Sequence, residues 1–197
     1  NFLDARLFET QGKALTNFHK NLPEPMSDLA QQTLKDPYNF DFLTMRENYN
    51  ERELEDALTT NITRFLLELG SGFAFVGRQV RLEVNGNEYF IDLLFYHLKL
   101  RCYTVVELKV TEFKPEYLGQ LGFYVTAVNR QFKRTEDNPT IGLIICKTKD
   151  RVVAEYALEG TNQPLGISQY DLMKVTSEEL KNTLPSIEEI ENELNEK

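Results

Sequence analysis

Several residue types and patterns that mark particular protein classes are scarce in this chain of 197 residues. It has two cysteines, Cys102 and Cys146, each in an apolar run, so reduced core thiols are expected and a disulfide-stabilised secreted fold is disfavoured. Two histidines, His19 and His97, lie far apart, which disfavours a structural zinc site. No apolar run approaches the roughly 20 residues that a membrane-spanning helix needs, so no membrane partner is expected. The chain starts at Asn1 without a basic-then-apolar leader, so we expect a cytoplasmic protein.

Basic residues are few relative to acidic ones. The chain has 22 Lys and Arg against 31 Asp and Glu, which gives a formal net charge of −9. This charge repels phosphate at long range, so any nucleic-acid partner has to be met by a local basic surface. The hydrophobic share of 41% is enough for a packed core and excludes wholesale disorder.

The chain divides into three stretches by pattern. Residues 1–50 are irregular and interrupted by prolines, so we expect an arm or the tail of a preceding domain. Residues 51–175 carry strong periodicity and are predicted to form the domain proper. Residues 176–197 are predicted to be an acidic helical tail, which packs back on its own domain or, alternatively, forms a homodimer or partner helix.

The periodic stretch predicts a definite order of elements. Helical spacing predicts a helix over 51–69, ended by Gly70, and three strands follow at 73–84 (interrupted at Gly77), 89–97 and 102–110. The Asn85-Gly86 pair between the first two strands is typical of a hairpin turn. Further along, Pro115 suits the first turn of a helix, and we predict a helix over 116–132, a strand over 140–146, a helix over 151–158 and a short strand over 166–170. This αβββαβ order predicts an α/β fold with a mixed β-sheet flanked by helices.

Charged residues stand inside two of these apolar strands. Asp92 is the one acid in the middle of the second strand, and Glu107 and Lys109 interrupt the third. Residues two apart on a strand share a face, so Glu107 and Lys109 point the same way, and adjacent antiparallel strands can set Asp92 beside Glu107. Because an unpaired buried ion costs several kcal/mol, roughly, these charges need partners. Either a structural ion pair within the sheet or a hard divalent cation held by the two carboxylates meets that need.

The same residues resemble a known group. Asp92 followed by Glu107-Leu108-Lys109 resembles the PD-(D/E)XK nuclease superfamily, although Ile91 stands where that motif has proline. Gln120-Leu-Gly-Phe-Tyr124 on the next helix resembles the Gln-x-x-x-Tyr motif of its RecB-like branch. Residues 28–170 are similar to the C-terminal part of bacterial YhcG-type nuclease-domain proteins, and three phrases carry this similarity: Leu66-Leu-Glu-Leu-Gly-Ser-Gly-Phe-Ala-Phe-Val-Gly-Arg-Gln79, Ile91-Asp-Leu-Leu-Phe-Tyr-His97 and Phe113-Lys-Pro-Glu-Tyr-Leu-Gly-Gln120.

The resemblance implies a restriction-endonuclease-like core and a metal-dependent nuclease. The expected cofactor is Mg²⁺, or Mn²⁺, and the expected substrate is nucleic acid, DNA rather than RNA. Asp92, Glu107 and the Leu108 carbonyl are then metal ligands, and Lys109 orients or deprotonates the attacking water. Residues 1–50 become the remnant that joins this domain to an N-terminal domain missing from the chain. The alternative is a module that keeps the fold and binds nucleic acid or protein without catalysis.

Further site residues follow from the resemblance and from helical spacing. Gln120 and Tyr124 lie one turn apart and are expected to face the same cleft as catalytic residues, or else form a polar helix face with one packed aromatic. A first-helix acid is expected as a further metal ligand, for which Glu55 is preferred over Glu68.

Substrate contacts are expected from polar residues around the cleft, unless they only form a solvated face. The residues predicted to bind nucleic acid are Arg78, Gln79, Lys114, Arg130, Lys133, Arg134 and Lys147, and Lys149 and Arg151 follow the last of these.

Overall fold

The computed structural model describes residues 12–172, so the predicted acidic tail at 176–197 lies outside the described residues. In chain order the elements are β1 (Gly12–Lys13), β2 (Leu15–Thr16), α1 (Phe18–Asn21), α2 (Met26–Thr33), β3 (Lys35–Asp36), β4 (Tyr38–Asn39), α3 (Glu51–Thr60), α4 (Ile62–Leu69), β5 (Phe73–Val84), β6 (Asn87–His97), β7 (Cys102–Glu112), α5 (Glu116–Gln131), β8 (Ile141–Thr148), α6 (Arg151–Glu159) and β9 (Leu165–Asp171).

One mixed sheet organises these elements. Its strand order is β2-β9-β8-β7-β6-β5, and β4 pairs with β9 beyond this path. The strands β5, β6 and β7 are successively antiparallel, and β8 and β9 continue parallel to β7. The short strands β1 and β3 form a separate pair. The predicted mixed sheet flanked by helices, with its αβββαβ order, is therefore confirmed.

The β5–β6 hairpin follows the predicted turn chemistry. Asn85 and Gly86 both have positive φ, 51° and 77°, which is the left-handed backbone that two-residue hairpin turns use. The predicted interruption at Gly77 is a register shift of β5 against β6, between Phe75 and Gly77. The shift therefore determines which β5 residues lie opposite residues 87–94 of β6, the part that contains Asp92.

The prediction of a single helix over 51–69 was wrong in one respect, because the segment forms two helices that meet at Asn61. A capping box starts α3, with Asn50 and Glu53 each bonding the other's backbone N–H. At the other end the Asn61 side chain donates to the Ala57 carbonyl (2.9 Å), and this local bond competes with the helical ladder. The chain re-enters a helix at Ile62.

Two apolar cores lie against the sheet. One joins Leu54 and Leu58 of α3 and Phe65 of α4 to the β6 and β7 residues Phe95 and Val106. The other joins α5 and α6 to the sheet through Leu121, Val125, Leu158, Leu94 and Val105. Residues of β7 alternate between the cores, since Val105 belongs to the second and Val106 to the first.

Residues 12–50, which the sequence pattern placed outside the main domain, pack into the first core. Phe18, Leu34, Tyr38 and Phe40 are fully or almost fully buried there, and β2 and β4 both pair with β9. The Asn17 side chain accepts from Leu165 N–H and donates to the Gln163 carbonyl, each at 2.8 Å. A domain division at residue 50 stays a prediction, which this packing does not favour.

None of the helices within residues 12–172 combines the length and apolar composition that crossing a membrane requires.

Candidate active site

Asp92 and Glu107 lie where β6 and β7 stop pairing. The last ladder pair is Leu93↔Val106, and the same register continued by one step sets Asp92 opposite Glu107. Beyond that pair, the carboxylates accept hydrogen bonds from backbone N–H groups of the neighbouring strand. Asp92 N–H donates to Glu107 Oε1 (3.0 Å), and Leu108 N–H donates to Asp92 Oδ2 (2.9 Å). The two carboxylates are therefore held side by side by the backbone of both strands, on the face that carries α5.

Burial makes this pair of carboxylates unstable as two anions. Glu107 is only 2% exposed, and desolvation, followed by the charge of Asp92, raises its pKa well above the ordinary glutamate value. Desolvation also raises the pKa of Asp92, against the lowering effects of Leu108 N–H and the Lys109 charge. A cation bound between the carboxylates would relieve both the desolvation and the mutual repulsion.

Glu55 of α3 is the third acid of the cluster. It is 2% exposed, and desolvation raises its pKa. The side-chain amide of Gln79 connects it to Asp92, because Gln79 Nε2 donates to Glu55 Oε2 and lies 3.4 Å from Asp92 Oδ1. The competing Glu68 is engaged elsewhere, in a 3.7 Å ion pair with Lys35. The structure thus brings Glu55 to the predicted site and leaves Glu68 outside it.

Lys109 lies on the same face as Glu107, two residues further along β7. Its Nζ is 4.9 Å from the centroid of the Tyr117 ring, a cation–π contact, and the Tyr117 hydroxyl shares a 2.8 Å hydrogen bond with the Thr111 hydroxyl. The Lys109 charge lowers the pKa of both Asp92 and Glu107. The ammonium therefore belongs electrostatically to the carboxylate cluster.

Gln120 and Tyr124 of α5 also face the cluster. Gln120 Nε2 donates to the Tyr124 hydroxyl (3.1 Å). Tyr124 is 4% exposed, and burial, followed by the negative charge of Glu107, raises its pKa. The hydroxyl consequently stays protonated at neutral pH, next to the carboxylates, while Gln120 is exposed to solvent.

The donor set fits a hard divalent cation. Mg²⁺ is usually held by one or two carboxylates and keeps several waters, which suits the Asp92–Glu107 pair. Glu55 Oε1 is buried and makes no hydrogen bond within the described residues, although Arg78 Nε is 2.9 Å away. The three carboxylates do not close into a compact triad. Within residues 12–172, only exposed His19, Glu24 and Asp28 bring three ligand atoms within 4.8 Å of one another.

The residues predicted to bind nucleic acid fall into different places. The Arg78 guanidinium contacts Glu55, Asp56 and the Thr59 hydroxyl, so it holds α3 and is not a free cation at the rim. Lys114 is exposed between β7 and α5. Lys147 is exposed on β8, one residue after the register partner of Lys109, and its Nζ is 5.9 Å from the Tyr49 ring centroid. Lys114 and Lys147 thus lie at the same end of the sheet as the carboxylates, but Lys147 shares the face of Ile145, which belongs to the first core and not to the face that carries α5.

The other basic residues lie away from the cluster. Arg130, Lys133 and Arg134 lie at and just beyond the far end of α5, and Arg134 N–H donates to Asp137 (2.9 Å). Asp137 in turn accepts a hydrogen bond from the Tyr96 hydroxyl, and Tyr96 pairs with Tyr103 of β7. Tyr103 is four residues before Glu107, which is about 13 Å along the strand. Of the two bases that follow Lys147, Lys149 pairs with Asp36 and Arg151 pairs with Glu155. The structure does not bring these five bases to the carboxylates.

A cavity of about 810 Å³ lies elsewhere, beside β1, β2 and the start of α6. Its lining includes Lys13, Lys149 and Arg151 and none of the residues predicted for the catalytic site. The candidate site is therefore identified by the chemistry of its side chains and not by a cavity.

Tyr117 and the contacts of Gln79 with the acids were not predicted from the sequence. Helical spacing could have indicated Tyr117, because it precedes Gln120 by three residues and Tyr124 by seven on α5 and so shares their face. No sequence signal indicated that the Gln79 amide would lie between Glu55 and Asp92, since that contact depends on how α3 packs against β5.

Comparison with known proteins agrees with the motif. The family model described as "YhcG PDDEXK nuclease domain" matches residues 31–185. The chain is 35% identical over 192 residues to the Escherichia coli (strain K12) protein named "Putative nuclease YhcG", and the alignment covers 95% of this chain and 51% of that protein. The chain thus spans about half the length of this curated relative.

Solved structures show more distant similarity. One is a repair endonuclease from Pyrococcus abyssi, at 14% identity and a TM-score of 0.40, covering 66% of this chain and 50% of that one. A complex of EndoMS with double-stranded DNA has 13% identity and a TM-score of 0.42, covering 70% and 49%. EndoMS in its apo form has 16% identity and a TM-score of 0.41, covering 67% and 49%.

Proposed function

The chain belongs to the YhcG PDDEXK nuclease domain family, and we propose that it is a Mg²⁺-dependent nuclease that hydrolyses the phosphodiester bonds of nucleic acid, DNA rather than RNA. The observation that carries the proposal is the juxtaposition of Asp92 and Glu107 at the end of the β6–β7 pairing, with Lys109 on the same face. A structural ion pair alone does not need a second buried carboxylate beside the first.

Asp92 and Glu107 would hold the cation, with the Leu108 carbonyl and Glu55 as further ligands. Mg²⁺, or Mn²⁺, supplies positive charge for the phosphoryl oxygens of the transition state and promotes ionisation of water at neutral pH. The backbone N–H groups of Asp92 and Leu108 fix the two carboxylates before any cation binds. The site is therefore preorganised by the strands themselves.

Lys109 would orient or deprotonate the water that attacks phosphorus. The Tyr117 ring holds its Nζ on the cluster face of the sheet. Gln120 and the Tyr124 hydroxyl would donate hydrogen bonds to substrate oxygens at the α5 wall. Exposed Lys114 would supply positive charge for the neighbouring phosphates, and Lys147 would reach only a strand that passes around the end of the sheet. The cytoplasmic location and a homodimer remain predictions.

A cleavage assay tests the proposal. The chain is incubated with linear, circular, single-stranded and branched DNA, and with RNA, in Mg²⁺, in Mn²⁺ or in EDTA, and a gel-shift measurement in EDTA reports binding. We expect cleavage of DNA in Mg²⁺ and none in EDTA. Asp92→Ala and Lys109→Ala should abolish cleavage while far-UV circular dichroism shows an intact fold, and the exposed controls Asp41→Ala and Lys99→Ala should cut like the parent.

Two results would contradict the proposal. If Asp92→Ala and Lys109→Ala both cut at the parent rate, the residues assigned to the site are wrong. If the parent binds nucleic acid but cleaves no polymer with either metal, the non-catalytic binding module is the correct interpretation.

A further inference from the structure

Gln79 has an unusual backbone conformation next to the carboxylates. Its φ is 46°, in the left-handed region that residues other than glycine rarely adopt. The flanking pairs Arg78↔Leu93 and Val80↔Ile91 keep one register, and this register sets Gln79 opposite Asp92. A strained residue in a long, well-paired strand calls for a compensating role, and such strain is found at functional sites.

The conformation places the side-chain amide between two acids. Gln79 Nε2 donates to Glu55 Oε2 at 2.5 Å and lies 3.4 Å from Asp92 Oδ1. Glu55 comes from α3 and Asp92 from β6, so no backbone connection fixes the distance between their carboxylates. One neutral donor shared by two acids opposes their repulsion without competing for a cation.

The preceding residue supports the same arrangement. Arg78 Nε is 2.9 Å from Glu55 Oε1, and its terminal nitrogens contact Asp56 and the Thr59 hydroxyl. Glu55 is therefore held from two sides by consecutive residues of β5. Both were predicted from the sequence to contact nucleic acid, whereas their contacts in the structure are with α3 and the acids.

We infer that Gln79 is a positioning residue, whose amide fixes the spacing of the Glu55 and Asp92 carboxylates for a divalent cation. The inference rests on the proposed function, because it assumes that these acids bind metal. It assigns Gln79 no contact with substrate. A residue in this role affects cation affinity in the absence of any nucleic acid.

The test is a calorimetric titration of the whole chain with Mg²⁺ and with Mn²⁺, without nucleic acid. Gln79→Gly removes the amide and tolerates the positive φ, and Gln79→Asn keeps an amide that is one methylene too short to reach both acids. We expect both to weaken cation affinity by about 10–100-fold, the usual effect of losing a group that orients metal ligands. The control is Asn85→Gly, which changes another left-handed residue (φ 51°), in the hairpin turn, and should bind like the parent.

The outcomes separate this inference from the proposed function. If the parent and Gln79→Gly bind cations equally, the positioning role is wrong and the proposed metal site stands. If the parent binds neither cation, the proposed function and the inference are both wrong. If Gln79→Gly binds cations like the parent but loses affinity for DNA in EDTA, Gln79 contacts substrate and the inference is wrong. Melting curves in EDTA show whether each variant is folded. If Gln79→Gly does not fold, the affinity of Gln79→Asn decides the result.

Discussion

Replacing Glu107 with glutamine separates two effects of the buried carboxylate: the stability that it costs without metal and the cation binding that it provides. Glu107 is 2% exposed, and its Oε1 accepts from Asp92 N–H. Glutamine has the same shape, keeps a carbonyl oxygen for that bond and offers an N–H to the Asp92 carboxylate, as a protonated glutamate would. Without metal, Glu107→Gln therefore removes a buried charge while keeping the packing.

The sign of the stability change follows from the raised pKa. Desolvation, followed by the Asp92 charge, raises the Glu107 pKa above its value in the unfolded chain. Between those two pKa values the folded state holds more protons than the unfolded state, so the parent loses stability as pH rises through that window. The variant has no such loss. We therefore expect Glu107→Gln to be more stable than the parent in EDTA at pH 8, above the unfolded pKa, and equally stable near pH 4, where the parent carboxyl is protonated in both states.

A divalent cation should reverse the ranking. A cation at about 100 times its dissociation constant stabilises the folded state by about 2.7 kcal/mol, which raises the melting temperature of a domain of this size by about 5–11 °C. The parent should show this gain and Glu107→Gln should not. Urea unfolding at pH 4, 6 and 8, in EDTA and in Mg²⁺, measures both effects. A variant that is less stable than the parent in EDTA at pH 8, or that gains as much from Mg²⁺, would refute the reasoning.

Two further predictions test the neighbourhood of the site and the packing of the N-terminal segment. Tyr117→Leu removes the ring under the Lys109 ammonium and should slow cleavage about two- to fivefold, in line with a contact of about 0.5–1 kcal/mol, whereas Tyr117→Phe should cut like the parent; equal rates for all three proteins would exclude a role for the ring. Asp36→Ala leaves Lys149, whose side chain is 9% exposed, without its partner and should lower the free energy of unfolding in urea by about 3–5 kcal/mol. Glu155→Ala, which breaks the exposed pair with Arg151, should cost less than about 0.5 kcal/mol, and equal losses for these two variants would show that the Asp36–Lys149 pair contributes no more than an exposed pair.

The order of the central elements could be predicted because local chemistry determines it. The bounds of β5, Phe73–Val84, match the prediction, since the Gly70 and Gly72 cluster precedes the strand and the Asn85-Gly86 turn ends it. Pro115 likewise marks the start of α5. These signals act within a few residues and do not depend on tertiary contacts.

The N-terminal segment could not be placed by the same reasoning. Its buried apolar residues recur every four positions, at Phe18, Leu22, Met26, Ala30, Leu34 and Tyr38, but they pass through helices, turns and two-residue strands. A spacing of four suits one helix face, and a short helix over 27–35 is predicted from the sequence, but Pro23, Pro25 and Pro37 prevent one continuous helix, so the pattern does not show where the segment packs. The pairing of β2 and β4 with β9 joins residues more than 130 positions apart, and such contacts leave no local signal.

The site was predictable in its central pair and less so in its surroundings. Charged residues inside apolar strands pointed to Asp92 and Glu107, and antiparallel pairing sets such residues opposite each other. The choice of Glu55 over Glu68 depended on which helix face meets the sheet, and the structure places Glu55 there. The placement of Arg130, Lys133 and Arg134 depended on the direction in which α5 crosses the sheet, which sequence spacing does not determine.

An anomalous-scattering measurement on crystals grown or soaked in Mn²⁺ tests the central claim most directly. We expect a peak between Asp92 and Glu107, within coordination distance of an oxygen of each carboxylate. A crystal in which Mn²⁺ occupies only the exposed group of His19, Glu24 and Asp28, or no site near β6 and β7, would contradict it.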